Sequence, residues 1–73
     1  MKAIITTESQ TATVTYNMVL RGKPQTQNQR IAEEVEKMIK KELAVGRKPH
    51  TVKVLIMENN RIINKWTYKP TIR

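Results

Sequence analysis

Two hydrophobic periods divide this chain. Over residues 12–20 (ATVTYNMVL), Ala12, Val14, Tyr16, Met18 and Leu20 alternate with Thr13, Thr15, Asn17 and Val19, the period-two pattern of a strand with one apolar face. Residues 2–7 (KAIITT) are similarly rich in Thr and Ile, residue types that suit a pleated, half-buried surface. The link ESQT is short and polar. A two-residue loop at Ser9 and Gln10 sets Thr7 opposite Ala12, Ile5 opposite Val14 and Ala3 opposite Tyr16, which keeps all six on one face. Neither loop position holds the Gly or Asn that positive-φ hairpin turns favour.

The period then changes. Gly22 and Pro24 end the strand. Ile31, Val35, Met38, Ile39 and Leu43 recur at helical spacing, with Ala32 beside them. Thr26 followed by Gln29 reads as a capping box, with Asn28 as the rival cap. Glu33, Glu34 and Glu36 precede Lys37, Lys40 and Lys41, the order that complements the helix dipole, and Glu33–Lys37 and Glu36–Lys40 are i,i+4 pairs in the favoured direction. Gly46 suits the left-handed residue that closes a helix and Pro49 follows it, so the helix is expected to stop near Val45.

Period two returns in HTVKVLIMENNRIINKWTYKP, where two strands flank ENNR. A two-residue loop at Asn59 and Asn60 puts Val54 opposite Lys65 and Val52 opposite Thr67. A three-residue loop, a type I turn closed by Asn60 in the left-handed region, puts Ile56 opposite Ile62, Val54 opposite Asn64 and Val52 opposite Trp66. The longer loop gathers Val52, Val54, Ile56, Ile62 and Trp66 on one face and is the expected register. Tyr68 joins that face. The opposite face then carries Lys53, Leu55, Met57, Ile63, Lys65, Thr67 and Lys69.

The expected architecture is therefore α+β, one domain over residues 1–73: ββαββ, a four-stranded antiparallel sheet in the order 2-1-3-4 with the helix packed on one face. The central position of the first strand fits the adjacent Ile4 and Ile5, which ask for cover on both faces. With 73 residues, such a fold buries only about 60% of the surface its unfolded chain exposes. There is no cysteine, so neither a disulfide nor a cysteine zinc site supports it. MKAIITTESQ lacks the apolar stretch of a signal peptide, and no run is long enough to span a membrane. The expected location is the cytoplasm.

Charge adds what the pattern does not. The formal net charge is +8, and it is unevenly placed. Residues 1–36 carry four cations and four glutamates; residues 37–73 carry ten cations against Glu42 and Glu58. The helix lysines are accounted for by pairing and dipole. That leaves Arg47, Lys48, Lys53, Arg61, Lys65, Lys69 and Arg73, a concentration beyond what solubility requires and the ordinary footprint of a phosphate-binding surface. The three aromatic residues, Tyr16, Trp66 and Tyr68, all fall on the buried face, so contact with a nucleic-acid backbone, DNA or RNA, is expected rather than base stacking. The competing expectation is a protein-binding module, an inhibitor or adaptor docking on an acidic partner or a homodimer. Leu55, Met57 and Ile63 would supply its apolar centre, and Thr15 and Val19 the long uncharged second strand, an edge that ordinarily needs covering.

Catalysis is not expected. His50 and Ser9 are single residues outside any nucleophile motif. Glu33 and Glu34 point about 100° apart on a helix and cannot act as a carboxylate pair. No cofactor or metal is expected, since two glycines cannot build a phosphate loop and the oxygen ligands are scattered.

Overall fold

Apolar period and turn chemistry yield four strands and a helix in a computed structural model that describes residues 1–71: β1 (Lys2–Glu8), β2 (Thr13–Val19), α1 (Pro24–Ala44), β3 (Thr51–Glu58) and β4 (Arg61–Tyr68). The strands form one antiparallel sheet in the order β2-β1-β3-β4, as the sequence predicts. One helix cannot cover four strands. α1 lies closest to β1, and the core collects beneath it: Ala3, Ile5, Val52, Val54 and Ile56 from the central strands, Met18 and Leu20 from the β2 side, and Ile31, Val35 and Met38 from the helix. Full burial of each large aliphatic residue contributes about 1.5–3 kcal/mol. No helix among the described residues is long and apolar enough to cross a membrane.

The buried helix stripe is Gln27, Ile31, Val35, Met38 and Glu42. Leu43, expected in the core, is 38% exposed, because the stripe advances by three or four residues and reaches position 42 instead. The capping box does not form. The helix begins at Pro24 with Lys23 as N-cap and no side-chain cap, which places Thr26 inside the first turn. Proline at the helix start needs no amide partner there, and the buried Gln27 secures the entry by donating from Nε2 to the Gly22 carbonyl at 3.1 Å. At the other end the expected glycine closure is present. Gly46 has φ +82°, its amide donates to the Leu43 carbonyl at 3.0 Å, and the Arg47 amide donates to the Glu42 carbonyl at 2.9 Å, the paired bonds of a Schellman motif. Lys37 pairs with Glu34 at 3.6 Å rather than with Glu33, while Lys40 pairs with Glu36 at 3.5 Å as expected. Glu33 instead accepts from Gln29 at 3.4 Å.

Both hairpin registers differ from expectation in loop length. In the first, Thr7 pairs with Val14, Ile5 with Tyr16 and Ala3 with Met18, a shift of two residues from the expected partners. An even shift leaves every side chain on its expected face. The turn works without Gly or Asn because Ser9 substitutes for missing backbone geometry: its amide donates to the Ala12 carbonyl at 2.8 Å, and its hydroxyl oxygen accepts the Ala12 amide at 3.1 Å. In the second hairpin the loop is Asn59 and Asn60, with φ of 51° and 63°, the type I′ combination that matches strand twist. Glu58 pairs with Arg61 and Met57 with Ile62; a β-bulge then shifts the register by one, so that Ile56 pairs with Asn64, Val54 with Trp66 and Val52 with Tyr68. Thus Ile62 does not join the helix side. It opposes Met57 on the other face and is 54% exposed. Trp66 does face the helix and packs against the core, because the bulge restores the parity that a two-residue loop alone would have reversed.

Since both turn residues occupy the left-handed region, both should gain from glycine. Asn59→Gly and Asn60→Gly are each expected to stabilise by a few tenths to about 1 kcal/mol, and Asn59→Val and Asn60→Val to destabilise by similar amounts of about 1–2 kcal/mol. Urea unfolding of the four variants checks this. A valine penalty confined to position 60 would point back to a three-residue loop.

Candidate nucleic-acid interface

Because directly opposed residues in a sheet share a face, the pairings define the surface that the helix leaves uncovered. Across β2, β1, β3 and β4 its rows run Val19, Lys2, Met57, Ile62; then Asn17, Ile4, Leu55, Lys65; then Thr15, Thr6, Lys53, Thr67. One end is apolar and the other rich in threonine, with lysines along the length. Ile4, which was expected to be covered on this side, is only half-buried, whereas Ile5 on the helix side is fully buried.

The seven predicted phosphate contacts do not form one set. Lys53 projects from the open face but is held by Glu8 at 2.8 Å. That hydrogen bond pulls the Glu8 carboxyl below its ordinary pKa, against a smaller opposing effect of desolvation. Arg47 is held by Glu42 through two contacts, one of them Nη2 to Oε1 at 3.1 Å. Glu42 is 6% exposed, and the Arg47 hydrogen bond depresses its pKa while raising that of Arg47. This ion pair sits where a Schellman motif usually has an apolar contact, so Arg47 fastens the helix end. Lys48 and Lys69 are exposed beside the sheet, Lys65 is exposed on the open face, and Arg61 lies at the turn. Arg73 is outside the described residues. Lys2, absent from the expected set, stands on the open face between Val19 and Met57; its alternation with Ile4 and Thr6 was the available clue.

Among the predicted protein-contact residues, Thr15 and Val19 are exposed on β2, and Leu55 and Met57 are half-buried on the open face. Ile63 lies at the bulge and is 51% exposed. The aromatic residues do lie on the helix side by pairing, but their burial is partial: Tyr16 is 39% and Tyr68 40% exposed, because they stand on the edge strands whereas α1 lies closest to the central β1.

Ser9 and His50 do come to one place, a cavity of about 350 Å³ that Arg47 and Lys48 also line. The Ser9 hydroxyl is engaged there by the Ala12 carbonyl, to which it donates at 3.1 Å, and His50 Nδ1 is 2.8 Å from the Thr51 hydroxyl. Among the described residues, no three His, Asp or Glu side chains are grouped to hold a metal ion. Comparison with protein-family models, with curated proteins and with solved structures finds no match to this chain.

Glu8 and Glu42 both have folded pKa values below the ordinary one, so their contribution to stability is complete above the unfolded glutamate pKa of about 4.3 and is lost as pH falls through the lower folded values. Urea midpoints measured from pH 7 down to pH 2.5 should therefore drop in the acid range. Glu42→Gln should lower the midpoint at pH 7 and flatten the acid limb. An acid limb unchanged in both Glu42→Gln and Glu8→Gln would remove these two pairs as its cause.

Proposed function

We propose that this chain is a non-catalytic binding protein that holds a nucleic-acid backbone against its open sheet face. The observation that carries this reading is that the excess of cations lies outside the helix. α1 carries four cations and four carboxylates, so the rest of the chain holds ten cations against Glu8 and Glu58. Lys2 and Lys65 project from the uncovered face, Lys69 continues the β4 line, and Lys48 and Arg61 flank it. Two strand spacings separate β1 from β4, about 10 Å, and four residues separate Lys65 from Lys69, about 13 Å. Those spans compare with the roughly 12 Å width of the duplex major groove, so the lysines can reach phosphates on more than one position of its walls. No aromatic residue lies on this face, which argues for backbone contact with little base preference.

A second reading concerns self-association, and a specific feature favours it. β2 is an edge strand with no charged side chain, and Val19 is 60% exposed on it. Edges without charge pair readily with other strands. A homodimer joined along β2 would double the positive field and extend the open face. The same apolar end, with Leu55 and Met57, would serve an acidic protein partner if nucleic acid is not bound.

Binding through about four phosphates should lower log K with log salt at a slope near −3 to −4 on duplex DNA. Lys65→Glu combined with Lys69→Glu should abolish binding, and Lys37→Glu combined with Lys41→Glu, an equal charge change on the helix, should only weaken it. Equal losses would mean a diffuse field with no located surface, and absence of binding to DNA and RNA at low salt would end the nucleic-acid reading. Light scattering of the same samples should report a doubled chain mass that Val19→Lys returns toward monomer; a monomer at high micromolar concentration would end the dimer reading.

A further inference from the structure

The side of β4 that faces the helix is the least covered part of the inner layer. Because α1 lies over β1, a groove opens between the helix and β4. Ala32, Val35, Ile39 and Leu43 form one wall, and Tyr68 and Pro70 the other, around a cavity of about 410 Å³. A smaller cavity of about 150 Å³ continues it toward Ile31 and Trp66. The lining is mainly apolar. Burial there pushes the Tyr68 phenol above its ordinary pKa. The one carboxylate on the wall, Glu36, is held by Lys40. Beside the groove, β4 is an edge strand, so its outward amides and carbonyls have no strand partner. One edge donor is capped locally: the Lys65 amide donates to the Asn64 side chain at 2.9 Å, an exposed carboxamide that an incoming strand would displace.

We propose that an acidic peptide segment in extended conformation adds to β4 as a fifth strand and drops alternate apolar side chains into this groove. The edge supplies main-chain hydrogen bonds and the groove supplies pockets at every second residue, the division of labour of strand addition. Charge selects the occupant. Lys65 projects from β4 on the open side and Lys69 continues that line just beyond it, and residues 61–71 contain no carboxylate. A second copy pairing through β4 would bring these cations against their counterparts, whereas glutamates on the peptide would meet them. The two edges thus differ in kind: β2 is uncharged and tolerates its own copy, while β4 repels itself and attracts an acidic strand.

The test uses a fluorescein-labelled octapeptide of alternating isoleucine and glutamate, read by anisotropy and by the emission of Trp66, the only tryptophan. Saturable binding with a blue shift of Trp66 is expected. Ala32 is exposed and lines both cavities, so Ala32→Phe should fill the groove without disturbing the core and weaken binding by about tenfold or more, its fold checked by circular dichroism. A peptide with lysine in place of glutamate should bind at least about tenfold more weakly, and one N-methylated at alternate residues should not bind, since it cannot donate to the edge. The proposal fails if the octapeptide gives no anisotropy change up to millimolar concentration. It also fails if the lysine or N-methylated peptide binds as well, or if Ala32→Phe leaves affinity intact. A Trp66 shift produced by an octathymidylate but not by the peptide would instead assign the groove to stacked bases and overturn it.

Discussion

A single helix has to bury a four-stranded sheet, and it can bury only one face. Every other feature depends on that constraint. Ile5, Val52 and Val54 are completely buried against Ile31, Val35 and Met38 because β1 and β3 are central and α1 lies over β1. Side chains one position along the same strands point to water. Ile4 and Leu55 are therefore only half-buried, and the lysines interleaved with them are presented together. Strand parity, rather than any local motif, decides which residues become core and which become surface.

The same parity governs how much of the fold is legible in the sequence. Element type, strand order and face follow from periods of two and of about 3.6 residues, and they survive errors in loop length. The first hairpin shifts by two residues and no side chain changes face. The second has the shorter loop, but a bulge near Ile63 compensates beyond it, so Trp66 still meets the core while Ile62 does not. A bulge of this kind has no signature in the residues RIIN; it is imposed by the need to keep Trp66 inside. The helix start departs from the local pattern for a related reason. Thr26 and Gln29 fit a capping pattern locally, but proline at the helix start and the buried contact from Gln27 to Gly22 extend the helix past them.

The candidate surface was legible in outline and not in detail. An excess of cations in the second half of the chain is visible by counting, yet which cations are free depends on contacts between distant segments. Glu8 and Lys53 meet only because β1 pairs with β3 in one register, which neither strand specifies alone. Arg47 meets Glu42 because the glycine closure at Gly46 folds the chain back over the last helical turn. Lys2 lies outside the cation-rich second half, and only the position of β1 places it among the open-face residues. What these pairings leave is a sheet face with few carboxylates, backed by an electroneutral helix. Two edges of different electrostatic character flank it.

Under the proposed function the open face, and not net charge as such, is the basic binding surface. Reductive methylation of lysines with and without saturating duplex DNA tests it most directly, because one experiment reads both layers. Lys2, Lys65 and Lys69 should be protected by the duplex, while Lys37 and Lys41 on the exposed helix surface remain as reactive as in the free protein. Equal protection of the helix lysines, or full reactivity of the three sheet-side lysines at saturation, would contradict it.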